Sequence, residues 1–198
     1  GNNLYLSGHQ HSWGYTLNAD KTTITATCHA NDCPYKDGGS VTINKPLHEV
    51  YGDGKSAEAT LTKTNWTAGD VSIAYKKGES PLSSAPTNAG TYTASITVTD
   101  KSGKNTTASV EYTIEKATPT ASDFTFTVPA GLTYDGNAKT AAVEPNTGIN
   151  GMGAVTVKYF KNGAETEPKV AGDYTVKVSV AEGANYNATT DDLTTDVW

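Results

Sequence analysis

Apolar and polar residues alternate with a period of two along most of the chain. Ile24, Ala26 and Cys28 fall on one side of a run whose other side is Thr23, Thr25 and Thr27. Val110, Tyr112 and Ile114 alternate in the same way with Ser109, Glu111 and Thr113. Strict alternation places every second side chain on one face, which is the pattern of a half-buried β-strand. Trp13, Tyr15 and Leu17 also alternate with polar residues, and Asn18-Ala19-Asp20-Lys21 then supplies a turn into the Ile24 strand. That predicts a β-hairpin, a unit too small to hold alone in water, so it must lean on something. Ser56–Thr62 and Ala138–Val143 contain alanines but lack apolar residues at i, i+3, i+4 and i+7. The expected fold class is all-β.

The strands recur as a set. Val71-Ser72-Ile73-Ala74-Tyr75, a Lys77-Gly78 turn, and the run Ala89-Gly90-Thr91-Tyr92 through Val98 form a first copy. Val155-Thr156-Val157-Lys158-Tyr159, an Asn162-Gly163 turn, and Ala171-Gly172-Asp173-Tyr174 through Val180 form a second. A tyrosine turn precedes each, Tyr51-Gly52-Asp53-Gly54 and Tyr134-Asp135-Gly136-Asn137. Self-similarity at a period of about 80 residues predicts serial modules, with one apolar face per strand packed between antiparallel sheets. The expected organisation is a Cys/His-containing hairpin segment at 1–38, a first module at 39–117 and a second at 118–198. Lys116-Ala117-Thr118-Pro119-Thr120 is the expected linker. Tyr92 and Tyr174 each follow a glycine turn and open an alternating strand. In an immunoglobulin-type sandwich a tyrosine placed there turns its hydroxyl back onto nearby backbone, a tyrosine corner.

The order Tyr134-Asp135-Gly136-Asn137-Ala138-Lys139, Gly153-Ala154-Val155-Thr156-Val157-Lys158-Tyr159, Ala171-Gly172-Asp173-Tyr174-Thr175-Val176 resembles the bacterial immunoglobulin-like repeat modules of the YDG or MBG type. The likeness covers about 118–198 closely and about 41–117 more loosely, because Gly52 is inserted in the first tyrosine turn and Lys77-Gly78 stands where the second copy has Asn-Gly. The stretch from His11-Ser12-Trp13 through Cys28 to Cys33 resembles a leader that precedes such modules. Some of these repeats are of β-grasp type, which keeps that topology as the alternative to tandem immunoglobulin-like sandwiches. The resemblance implies a segment of a large exported protein of Gram-positive bacteria, extracellular, at the cell surface or wall-attached, acting as stalk, spacer or adhesive. It carries no catalytic residues.

Composition narrows the function classes. The formal charge is -6, with 15 Lys and Arg against 21 Asp and Glu. The lysines are scattered over polar strand faces, so no clustered cationic surface for nucleic acid is expected. No apolar run reaches the ~18 residues of a membrane span. Charged residues make up only 18% of the chain, and Thr, Ser, Asn and 19 Gly fill the difference. That balance suits strands joined by many turns. No signal peptide is visible at the start, and Gly1 reads as a scar of tag removal. Asp196-Val197-Trp198 breaks off inside an apparent strand, so the natural protein is expected to extend beyond both ends.

Cys28 and Cys33 are the sharpest chemical feature. In an exported protein they fit a disulfide that staples the hairpin tip. The second reading, behind the disulfide because a lone cysteine pair is a weak metal signal, is two thiolate ligands of a zinc ion with His9 and His11 as the nearby nitrogen donors. Two reduced thiols packed in a sheet are the third reading. Any metal would be structural, and no other cofactor is called for. Asp53, Asp135, Asp191 and Asp192 lie in turns but lack the alternating spacing of a calcium loop. For hydrolysis, Glu111 and Glu165 show no sign of a shared cleft, and His48 has neither a partner nor a nucleophile elbow. The expectation is no enzyme. Trp13, Trp66 and Trp198 are scattered as core or linker packing would be. The functional expectation is a non-catalytic structural or adhesive segment whose partners are the neighbouring modules of its own chain. The alternatives are a module binding host glycan or extracellular protein, and an accessory domain of a secreted glycan-degrading enzyme.

Overall fold

A computed structural model describes residues 11–62 and 71–197. Among these residues there are fourteen strands, a single 3-10 turn at Ala121–Asp123 and no α-helix. Among the described residues no helix is long and apolar enough to cross a membrane. The chain divides into two units, Gly1–Glu49 with Asp53–Ile114, and Val50–Gly52 with Glu115–Trp198.

The first unit contains two four-stranded antiparallel sheets. In one, β1 (Trp13–Leu17), β2 (Thr23–Cys28), β3 (Asp37–Asn44) and β4 (Glu58–Thr62) lie in sequence order. In the other, β5 (Ala74–Lys77), β6 (Ser80–Leu82), β7 (Gly90–Thr99) and β8 (Asn105–Ile114) lie in the order β6-β5-β7-β8. Strand β8 packs against β1, β2 and β3, so the sheets meet face to face. Ile24, Val41 and Ile43 from the first sheet and Ala94, Ile96 and Ala108 from the second are buried between them. The hairpin therefore leans on β3, through the register Ile24↔Val41, and shares its core. One local expectation changes: only Ala74 and Tyr75 of the Val71–Tyr75 run lie in β5. Ala59 in the edge strand β4 is exposed, although Ala57 just before β4 is buried.

The second unit repeats the plan with fewer strands. A two-stranded sheet pairs β9 (Phe124–Thr127) with β10 (Ala142–Pro145). A four-stranded sheet has β11 (Val155–Lys161), β12 (Ala164–Glu165), β13 (Thr175–Val180) and β14 (Leu193–Val197) in the order β12-β11-β13-β14. The order matches β6-β5-β7-β8 strand for strand, while nothing among the described residues corresponds to the β1–β2 hairpin. Its core is Phe124, Val143, Val176, Val178 and Val180. Strand β9 stops at Thr127, and Val128 just beyond it is exposed. Pro129 follows and has no N–H to extend a ladder. The expected linker is bonded into this unit: Ala117 N–H donates to Asn185 O at 2.9 Å and Asn187 N–H donates to Ala117 O at 2.9 Å.

Candidate functional site

The chemistry-bearing cluster forms at the open end of the hairpin. Trp13 pairs directly with Cys28 across β1 and β2, and paired residues share a face of the sheet. His11 lies two residues before Trp13, just ahead of β1. Its imidazole stacks on the Trp13 indole with centroids 4.6 Å apart and planes tilted by 11°. The indole lies flat over Gly38, where a Cβ would fall 2.5 Å from the ring. Beyond Cys28 the chain turns, with Cys33 N–H donating to Ala30 O at 3.2 Å and Cys28 N–H donating to Lys36 O at 2.8 Å. This loop returns Cys33 over Cys28. The Cys33 Sγ lies 3.3 Å from His11 Nδ1, and its thiol donates to Tyr35 O at 2.9 Å.

One imidazole nitrogen and two sulfurs thus lie within 4.8 Å of one another. Both cysteines are buried, as separate thiols, and His11 is half-buried. Burial, then the neighbouring Cys28 thiol, pushes the Cys33 thiol above its ordinary value. His9 lies outside the described residues, as do Trp66 and Trp198.

The two repeated tyrosines have matching surroundings. Tyr92 donates its hydroxyl to Asn88 O at 2.8 Å, and Tyr174 donates to Val170 O at 2.6 Å. Each hydroxyl reaches the carbonyl four residues upstream. A lysine stands over each ring, Lys77 Nζ 5.7 Å from the Tyr92 centroid and Lys161 Nζ 5.6 Å from that of Tyr174. These lysines were missed from sequence, although their equal place before each hairpin turn was the available signal. Beside Tyr174 is a cavity of about 280 Å³ whose wall includes Leu132, Tyr134, Lys139 and Val170. Leu132, Tyr134 and Val170 are 53%, 67% and 63% exposed, an apolar group open to solvent.

The remaining candidates do not converge. Glu111 and Glu165 are exposed and belong to different units, and His48 is exposed. Asp135 pairs with Lys139 at 2.7 Å and Asp192 with Lys158 at 3.1 Å, so these two acids are neutralised by lysine. A second polar feature was invisible in sequence. Glu49 and Tyr112 are both buried, and Glu49 Oε2 and the Tyr112 hydroxyl have no hydrogen-bond partner among the described residues. Burial, then the Asp53 charge, raises the Glu49 carboxyl above its ordinary value. Burial likewise raises the Tyr112 phenol, with Tyr75 and Glu49 adding to it.

Comparison with known proteins agrees with the repeat. A family model described as MBG domain matches residues 39–118 and again residues 125–195. No curated protein and no solved structure gives a significant match to the chain.

Proposed function

Because the chain belongs to the MBG domain family, a family of non-catalytic modules, we propose that it is a structural segment of a bacterial surface protein, outside the cell, that sets distance between other parts of that protein. The observation carrying this reading is the tandem repetition of one module, with a separate apolar core for each copy, the first completed by the hairpin. A repeated module that buries its own hydrophobic face adds length without adding a reaction centre. The long β7–β8 ladder, ten paired positions from Gly90↔Ile114 to Thr99↔Asn105, gives such a segment resistance to extension.

Force spectroscopy on the 198-residue chain tests it. A spacer of this design unfolds in two separate events, one per core. A single event that releases the whole chain would overturn the reading. A second reading, a glycan- or protein-binding module, is supported by the exposed Leu132, Tyr134 and Val170 around their cavity. Selective binding on a glycan and matrix-protein array, abolished by Tyr134→Ala, would replace the first reading by the second.

A further inference from the structure

The geometry points to a structural zinc site made by His11 Nδ1, Cys28 Sγ and Cys33 Sγ, which ties the loop after β2 to the start of β1. Tetrahedral zinc with ordinary Zn–S and Zn–N lengths holds its sulfurs about 3.8 Å apart and each sulfur about 3.6 Å from nitrogen. The observed trio, mutually within 4.8 Å and with the Cys33–His11 contact at 3.3 Å, needs only small side-chain adjustments to reach that arrangement. The fourth position falls to water or to a donor outside the trio.

Three independent features converge on a metal. First, the donors come from three places in the chain, and two different devices bring them together. The register pairs Trp13 with Cys28 and stacking on Trp13 holds His11 beside them, and the Ala30–Cys33 turn returns the second sulfur. Second, the imidazole is oriented before any ligand arrives, because it is stacked on Trp13, itself seated on Gly38. Metal-binding imidazoles are oriented by surrounding groups, ordinarily through a hydrogen bond from the other ring nitrogen, and here stacking on Trp13 fixes the ring plane. Third, the donor set is soft, two sulfurs and one nitrogen, which favours zinc over the hard cations that carboxylates bind. On binding, each thiol gives its proton to solvent and forms one Zn–S bond, and neutral imidazole adds a Zn–N bond. No electrons move.

The test uses the whole chain, prepared with a phosphine reductant and supplied with one equivalent of zinc. Metal analysis after gel filtration should give one zinc per chain, and cobalt in its place should show a thiolate-to-cobalt charge-transfer band. His11→Ala keeps both sulfurs, so it separates the metal from the disulfide. It should weaken zinc binding by well over the ~10-fold that losing even an outer partner produces. Cys33→Ser should abolish the charge-transfer band, with circular dichroism confirming that the strands persist. Zinc-free chain with both thiols alkylatable would overturn the site. So would zinc retained undiminished by His11→Ala, or, in chain isolated without the reductant, a mass lower by two hydrogens that defines a bridged pair.

Discussion

Tyr174 and Val170 are joined by two hydrogen bonds: the phenol donates to Val170 O at 2.6 Å and accepts from Val170 N–H at 3.1 Å. The ring thus closes a loop that contains Ala171 and Gly172, and Gly172 takes φ of 141°, a conformation open to glycine. Removing the hydroxyl strands a donor and an acceptor together. Tyr174→Phe should therefore cost the second unit about 2 kcal/mol, at about 1 kcal/mol per bond. Tyr92 makes its one described bond to Asn88 O, and Tyr92→Phe should cost the first unit about 1 kcal/mol. Urea titration of each variant measures both. Equal costs would mean that the Val170 N–H bond adds nothing.

Alternation made the sheets legible because most strands are half-buried, so that Tyr92, Ala94, Ile96 and Val98 had to share a face. The edges were less legible. Ala59 lies between the polar Glu58 and Thr60 yet is itself exposed, in the edge strand β4. The turns show a subtler limit. Gly78 occupies the place of Asn162, with φ of 57° and 51° respectively, and the second copy continues with Gly163 at 80°. Asn162-Gly163 thus has two positive φ values, as a type I′ turn requires, whereas the first copy has one, at Gly78. Both turns close hairpins of equal length, so the different dipeptides preserve register. The His11, Cys28 and Cys33 cluster depends on a turn and on strand pairing across 22 positions of sequence, from His11 to Cys33. Spacing alone carries neither.

Glycine also marks a place where backbone meets backbone. A Cβ on Gly153 would fall 2.1 Å from Ala181 O, and one on Gly183 would fall 2.3 Å from Gly151 O. Neither obstacle is the end of a flexible side chain, so the strand entry and the turn after β13 would have to separate. Gly153→Ala should cost about 3 kcal/mol or more. Gly131→Ala meets nothing within 4 Å and carries only the strain of φ at 70°, about 1 kcal/mol. Thermal denaturation of the two variants ranks them. Comparable losses would show that the close approach relaxes freely.

The hairpin contributes directly to the first core. Ile24 is fully buried and paired with Val41 in β3. Ile24→Ala should lower the stability of the first unit by about 2–5 kcal/mol, as large-to-small changes in packed cores do. Amide exchange should accelerate across β2, β3 and β8 while β11 and β13, built on a separate core, stay protected. Exchange confined to β1 and β2 would show that the hairpin is an independent appendage.

Glu49 gives the first unit a pH dependence whose sign follows from its burial. Its folded value lies above the ordinary 4.5, so the folded state prefers the protonated form. The stabilising contribution is complete below the ordinary value and disappears as pH rises through the raised folded value. The exposed Asp20, Asp100, Asp135 and Glu182 are shifted down by hydrogen bonds or a lysine and act in the opposite direction, but solvent screens them. Glu49→Gln keeps the shape and removes the charge beside the unpartnered Oε2. At neutral pH it should stabilise the first unit by about 1 kcal/mol, and the gain should shrink on acidification toward about pH 4. Exchange of β7 and β8 amides, followed over that range, reads the effect on this unit alone. A variant less stable than the parent at neutral pH would mean that the carboxylate is bound by ordered water, and that its charge helps to hold the fold.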